Sequence, residues 1–211
     1  MYFIYGEKEI AYLKHKDKIL GDAIDKIGTI KRETEPDLFR SVIHHIIGQQ
    51  ISVKAQRTIW KRFNLTFDKI NADNIILSTV DKIQKLGLTF KKAEYIMDFA
   101  LKVNANMLDL EKLYALSDAD VIKSLSSLNG IGPWTAEMIM LFCMQRSDIM
   151  SFGDLAIHRG LKMLYHHEKI DKKTFHIYRQ RFSPYGSVAS LYLWAIAGGA
   201  LDKIECSAEE R

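Results

Sequence analysis

Two short strings hold the residue types best placed to do chemistry. The first is Leu128-Asn129-Gly130-Ile131-Gly132-Pro133-Trp134-Thr135-Ala136. Gly130 and Gly132 allow tight turning and leave their amides without side-chain cover. Pro133 suits the opening of a helix, so those amides would stand at a positive helix end that favours an anion. A backbone phosphate is the natural ligand, one that fixes register without reading sequence. Ile131, between the glycines, would anchor the turn in the core. Taken alone, Gly-x-Gly between helices reads more readily as an ordinary αα-turn. The second string is Ser151-Phe152-Gly153-Asp154-Leu155-Ala156-Ile157-His158-Arg159. Asp154 before a helix is a favoured N-cap. The same position keeps a carboxylate ionised, which catalysis by a fixed anion requires.

Other chemistries lack their residues. There is no GxGxxG, Walker loop or HExxH. Cys143 and Cys206 are too far apart for metal-ligand spacing and form no disulfide framework. Cys143 is expected to be a core thiol, and a reducing cytoplasm is the expected location. Adjacent His44 and His45 do not face one ligand site on a helix, so no metal is expected on side chains. Lys54, Arg57, Lys91 and Lys92 read as solvated surface cations, with phosphate contacts as the other possibility. The N-terminus lacks the order of a signal peptide. The longest apolar run, 188–201, is too short to span a membrane. The 211 residues, 47% hydrophobic and 27% charged, suffice for one core or two small helical lobes. A formal charge of +4 fits a nucleic-acid partner without demanding one.

The elements that must position these strings are helices throughout. Apolar spacing predicts amphipathic pieces over 8–14 and 16–27, with Ile19, Leu20, Ile24 and Ile27 in one stripe and Gly28 as a stop. Pro36 suits the first turn of the next helix, with Leu38, Val42, Ile46 and Ile47 as its stripe. A helix over 52–63 should pack Val53, Ile59 and Trp60. Short pieces follow near 71–77 and 80–85. Thr89 should cap a helix to 103, and Ser117 one to about 126. The helix from Pro133 to Met144 is apolar nearly all round and should be buried. Two or three more are expected, near 155–165, 172–182 and 187–200.

The whole string, Leu-x-Gly-Ile-Gly followed by x-x-Thr-Ala, resembles the helix-hairpin-helix of the DNA glycosylase superfamily that includes endonuclease III. Asp154, Ile157 and Arg159 fit its Asp-x-x-Ile-x-Arg pattern. Bifunctional members carry a Schiff-base lysine two residues after the second glycine; here that residue is Trp134, which supplies no such nucleophile. Tryptophan there resembles the alkylpurine branch, the DNA-3-methyladenine glycosylase II family. So do Gly48-Gln49-Gln50-Ile51-Ser52, Gly87 with Lys92-Ala93-Glu94, and Ser183-Pro184-Tyr185-Gly186-Ser187-Val188-Ala189 with Tyr192-Leu193-Trp194. The resemblance runs from about Glu9 to Leu201.

The resemblance implies an all-α fold of two helical subdomains with a cleft between them. Residues 1–36 would pack with 150–211, and 37–149 would form the central subdomain holding the hairpin 128–136. It implies a monofunctional DNA glycosylase that flips alkylated bases such as 3-methyladenine from damaged double-stranded DNA and hydrolyses the bond at C1′ in base excision repair. Asp154 would stabilise oxocarbenium character on the sugar and direct the attacking water. Gly130, Ile131, Gly132 and Thr135 would hold the DNA backbone. Trp134 and Trp194 would line the base pocket with Tyr185, Met138 and Leu155. The last two stand where well-known alkylpurine members have aromatics. Indole faces attract cationic alkylpurines by roughly 0.5–2 kcal/mol each. Gln49 or Gln50 would fill the gap left by the flipped base; a polar loop pair bonded to backbone is the other reading. A monomer is expected. So is the absence of cofactors and of an iron–sulfur cluster, since Cys206 stands alone in the tail, with a monovalent cation on hairpin carbonyls as the one allowance. A glycosylase for deaminated or oxidised bases, and a non-catalytic DNA-binding hairpin module, are the alternatives.

Overall fold

The computed structural model describes residues 1–201; Cys206, and the cluster argument that uses it, lie outside the described residues. Apart from one isolated bridge between Tyr2 and Glu33, the regular structure described is entirely helical. None of these helices is long and apolar enough to cross a membrane. The chain divides into two compact units: Glu35–Met144, and Met1–Thr34 together with the chain from Gln145 onward.

The first-and-last unit contains α1 (Glu7–Lys16), α2 (Lys18–Ile27), α11 (Leu155–Tyr165), α12 (Lys172–Phe182) and α13 (Gly186–Ala197). Asp17 caps α2 through Leu20 N–H, and Gly28 ends it at φ 74°. Leu20 and Ile24 are buried as the periodicity predicts, but Ile19 is exposed. It sits in the first turn, off the stripe that faces the unit. α11 packs closely on α13. At their crossing a Cβ on Gly160 would stand 2.3 Å from the Leu193 carbonyl oxygen, so only glycine lets the two backbones approach this far.

The middle unit contains α3 (Leu38–Gly48), α4 (Val53–Thr66), α5 (Ala72–Ile76), α6 (Val80–Gln84), α7 (Phe90–Asn104), α8 (Leu110–Leu113), α9 (Asp118–Ser126) and α10 (Pro133–Phe142). Its core gathers Val42, Ile43, Ile46, Ile47, Ile96, Leu125 and Ile139, with Phe39 stacked on Phe99 at 4.8 Å. Pro36 does not open α3; Asp37 is the N-cap and accepts from Arg40 N–H at 3.0 Å, which leaves the proline outside the helix. Val53 does not pack. It is 64% exposed, because the first turn of α4 points away from the core that Ile59 and Phe63 enter. The short α8, not anticipated, is held by Asp109, whose carboxylate accepts from the Glu111 and Lys112 amides. α10 stops at Phe142 rather than Met144, and Cys143 is the buried thiol expected, pushed up to about 11 by that burial.

Candidate nucleic-acid interface and catalytic carboxylate

The hairpin between α9 and α10 is built from its glycines. Leu128 O accepts from Ile131 N–H at 3.1 Å, closing the turn. Gly130 holds φ 82°, and a Cβ there would lie 2.3 Å from the Tyr95 ring. Gly132 is the N-cap of α10 at φ −92°, supplies no side-chain cap, and has open space where a Cβ would be. The start of α10 is thus open on the side of Gly132, at the helix end that favours an anion. Ile131 and Thr135 are both buried, so either could meet DNA only through its backbone. Trp134, at the second position of α10, is 44% exposed, whereas Met138 one turn later is 4% exposed.

The glutamine turn belongs to the same unit. Gln49 is the C-cap of α3, and its side-chain amide donates to the Gly130 carbonyl at 2.6 Å. Gln50 is exposed at φ 55°, and Ser52 then caps α4 through Ala55 N–H. The two glutamines therefore differ: one bridges to the hairpin, the other projects. Lys92 is not a solvated cation. Its Nζ donates to the carbonyls of Ile47, at 2.9 Å, and Gln49, and burial pulls its pKa down. His45 Nδ1–H donates to Ser41 O at 2.8 Å, and burial depresses that ring to about 4. His44 meets Gln56 instead, so the adjacent histidines do not converge. No group of three His, Cys, Asp or Glu residues suited to a metal occurs among the described residues.

Asp154 lies in the other unit as the N-cap of α11 and is 7% exposed. Its Oδ1 accepts from Ala156 N–H at 2.9 Å and Ile157 N–H at 3.0 Å. Leu155 beside it is 84% exposed. Trp194, half-buried, stands on α13, against which α11 packs. Tyr185, half-buried at the start of α13, meets Tyr12 edge to face at 5.1 Å. The candidate residues are thus shared out: hairpin, glutamines, Trp134 and Met138 in the middle unit, and Asp154, Leu155, Tyr185 and Trp194 in the other.

The chain leading to Asp154 is tied down by side chains that sequence reasoning missed. The Asp148 carboxylate accepts from Arg179 Nη1 at 2.8 Å, Ser183 Oγ at 2.7 Å and Gly186 N–H at 3.0 Å. Buried Ser187 Oγ accepts from Ile149 N–H at 2.9 Å and donates to the Arg146 carbonyl. Ser190 Oγ donates to the Ile149 carbonyl at 2.9 Å. Closer in, His158 Nε2–H donates to the Phe152 carbonyl at 2.8 Å while its ring stacks on Phe175. The strand of backbone entering Asp154 is therefore tied to α12 and α13 at several points. Ser187 and Ser190 on an otherwise apolar helix were the available signal, since buried hydroxyls need partners.

Comparison with known proteins bears on the family and the fold. Residues 43–184 match the family model of HhH-GPD superfamily base excision DNA repair proteins. The DNA-3-methyladenine glycosylase of Saccharomyces cerevisiae is 30% identical over 206 residues, covering 80% of this chain and 70% of that protein. A solved DNA-3-methyladenine glycosidase from Bacillus halodurans is 32% identical with a TM-score of 0.83, covering 94% of this chain and 93% of that one. The Schizosaccharomyces pombe 3-methyladenine DNA glycosylase, solved in complex with abasic DNA, shares the fold at a TM-score of 0.78 and 23% identity, over 89% of this chain and 95% of that one. The chain spans 58% and 57% of the lengths of two Bacillus subtilis relatives, 26% and 27% identical to it. Taken with a helical fold that presents a two-glycine hairpin and a capped aspartate, these matches show that the chain belongs to the HhH-GPD superfamily of base excision DNA repair proteins.

Proposed function

We propose that this protein is a DNA N-glycosylase that excises alkylated bases such as 3-methyladenine from double-stranded DNA, acts as a monomer, and leaves the strand uncut. The observation that carries the reading is Asp154: a nearly buried carboxylate held rigidly by two backbone amides, in a chain whose similar relatives are named for 3-methyladenine release. As the base departs, positive charge grows on C1′ and the ring oxygen, and an anion that need not reorganise stabilises it. The same carboxylate directs the water that attacks C1′. The base leaves neutral from an N3- or N7-alkylated purine, so little acid assistance is needed. The partly exposed Trp134 offers an indole face to a cationic base. Trp194, Tyr185, Met138 and Leu155 are the further base-contacting candidates in this reading. The Gly130–Gly132 turn and first-turn amides of α10 hold a phosphate, and Gln50 fills the gap in the duplex. A monovalent cation on the hairpin is compatible with the carbonyls of Leu128 and Gly130, each of which accepts one hydrogen bond and keeps a second lone pair.

The test is mass-spectrometric identification of bases released from methylated, hypoxanthine-, uracil- and 8-oxoguanine-containing duplexes. Release of 3-methyladenine and 7-methylguanine is the expected result. Release confined to deaminated or oxidised bases would move the assignment to another specificity. Tight DNA binding with no release from any duplex would make the protein a binding module.

A further inference from the structure

One face of α7 carries Lys92, Tyr95 and Asp98 at successive three-residue steps, so the side chains form a row. Each meets a turn assigned to DNA. Lys92 Nζ holds the Ile47 and Gln49 carbonyls of the glutamine turn. The Tyr95 ring occupies the space beneath Gly130. The Asp98 carboxylate accepts from Asn129 Nδ2 at 3.0 Å and is held in turn by Lys102 at 2.8 Å. The two turns also touch directly, through Gln49 and the Gly130 carbonyl, although 81 residues separate them in sequence.

The C-terminal end of α3 is where an ammonium does most. Its last carbonyls have no partner within the helix, and the helix dipole is negative there. Lys92 answers both. The peptide it grips immediately precedes Gln50, whose φ of 55° lies in the left-handed region that glycine favours. A non-glycine residue stays there only where its surroundings hold it. Gln49 at the same time lashes the turn to the hairpin, so the projecting Gln50 and the phosphate grip keep one fixed relation.

We propose that Lys92 is a positioning residue for base flipping: by tying the Ile47 and Gln49 carbonyls to α7, it presents Gln50 to the duplex in register with the hairpin's hold on the phosphate. The inference rests on the proposed glycosylase activity. Lys92 touches neither the substrate nor the reacting atoms and acts through Gln50. Its contribution is therefore required when the lesion is stacked and paired. It is dispensable when the lesion is already unpaired and extrusion costs little.

The test compares single-turnover release of N7-methylguanine from two duplexes, one with the lesion opposite cytosine and one with it opposite an abasic site. Lys92→Met keeps the length of the side chain and removes its donors. It should lose on the order of 10- to 100-fold on the paired lesion, the scale of a small misplacement, and stay within about threefold on the unpaired one. The double variant with Gln50→Ala should be no slower on the paired lesion than Gln50→Ala alone, because the two act in series. Equal losses on both duplexes, no loss on the paired one, or a multiplied loss in the double variant would overturn the inference. Should Lys92→Met not fold, Lys92→Arg keeps a donor in altered geometry and should show a smaller loss, again confined to the paired lesion; a loss shared by both duplexes would overturn the inference there too. Wild-type protein that releases no base from either duplex would instead remove the glycosylase reading, and this inference with it.

Discussion

Asp154 has a structural role and a proposed chemical one, and a single substitution separates them. Asparagine caps a helix about as well as aspartate, so Asp154→Asn should leave α11 intact and melt near the wild-type temperature. It removes the anion, and base release should fall about 100-fold or more, the usual scale for losing a key electrostatic stabiliser. Binding to lesion DNA, measured by fluorescence anisotropy, should persist. Release within about threefold of wild type would show that another group carries the charge stabilisation. Asp154 itself was legible because a cap is a local event: an aspartate, a turn and an apolar-periodic run adjoin in sequence. Its supports were not. Asp148 and Arg179 stand 31 residues apart, and no local pattern announces a pairing that only the packing of α12 and α13 creates. Lys92 was misread for the same reason, since the second of two adjacent lysines looks solvated until α3 is seen to end beside it.

At the scale of elements, helix starts and stops were the most legible feature, because capping residues act on their own neighbours. Thr89, Ser117 and Asp154 each cap as their chemistry dictates. Misses came where tertiary context decides. Pro36 is compatible with a first turn, yet Asp37 beside it caps the helix through the Arg40 amide, and Val53 has the right type for a core but the wrong azimuth. The two hairpin glycines, alike in sequence, are not alike in space, and they predict different outcomes. Gly130→Ala places a Cβ against Tyr95 at a positive φ, so it should lower stability by about 1–3 kcal/mol and shift the melting temperature. Gly132→Ala meets nothing; its cost is that of a poorer N-cap, about 1 kcal/mol or less. Yet the added methyl narrows access to the amides of α10. Affinity for intact and lesion duplexes should therefore fall together, because phosphate contacts carry no base information. A loss seen with one base type alone would show that the hairpin reads bases.

At the scale of the whole molecule, the open chemical question is whether any amine attacks the sugar. A lyase needs a lysine that is both nucleophilic and able to reach C1′. The hairpin position that serves this purpose in bifunctional relatives of the family holds Trp134. Lys123 and Lys162 are exposed on the surfaces of α9 and α11, outside that hairpin position. Lys92 is the candidate that burial favours, since its pKa is drawn down. Its Nζ, however, is committed to the Ile47 and Gln49 carbonyls. That engagement holds Nζ at the end of α3, where two carbonyl dipoles favour the ammonium form, which has no lone pair to offer. Borohydride added during turnover should therefore trap no protein on DNA, and the strand should break only after alkali is added. Trp134→Lys should reverse part of this. It removes an indole face, so release of cationic bases should fall, while a weak borohydride-trappable adduct should become detectable. An adduct formed by the unmodified protein would overturn the monofunctional assignment. Peptide mapping of that adduct would then separate two cases: attachment at Lys92 would mean that the turn it braces opens during the reaction, and attachment elsewhere would mean that a surface lysine is carried to C1′ when DNA binds.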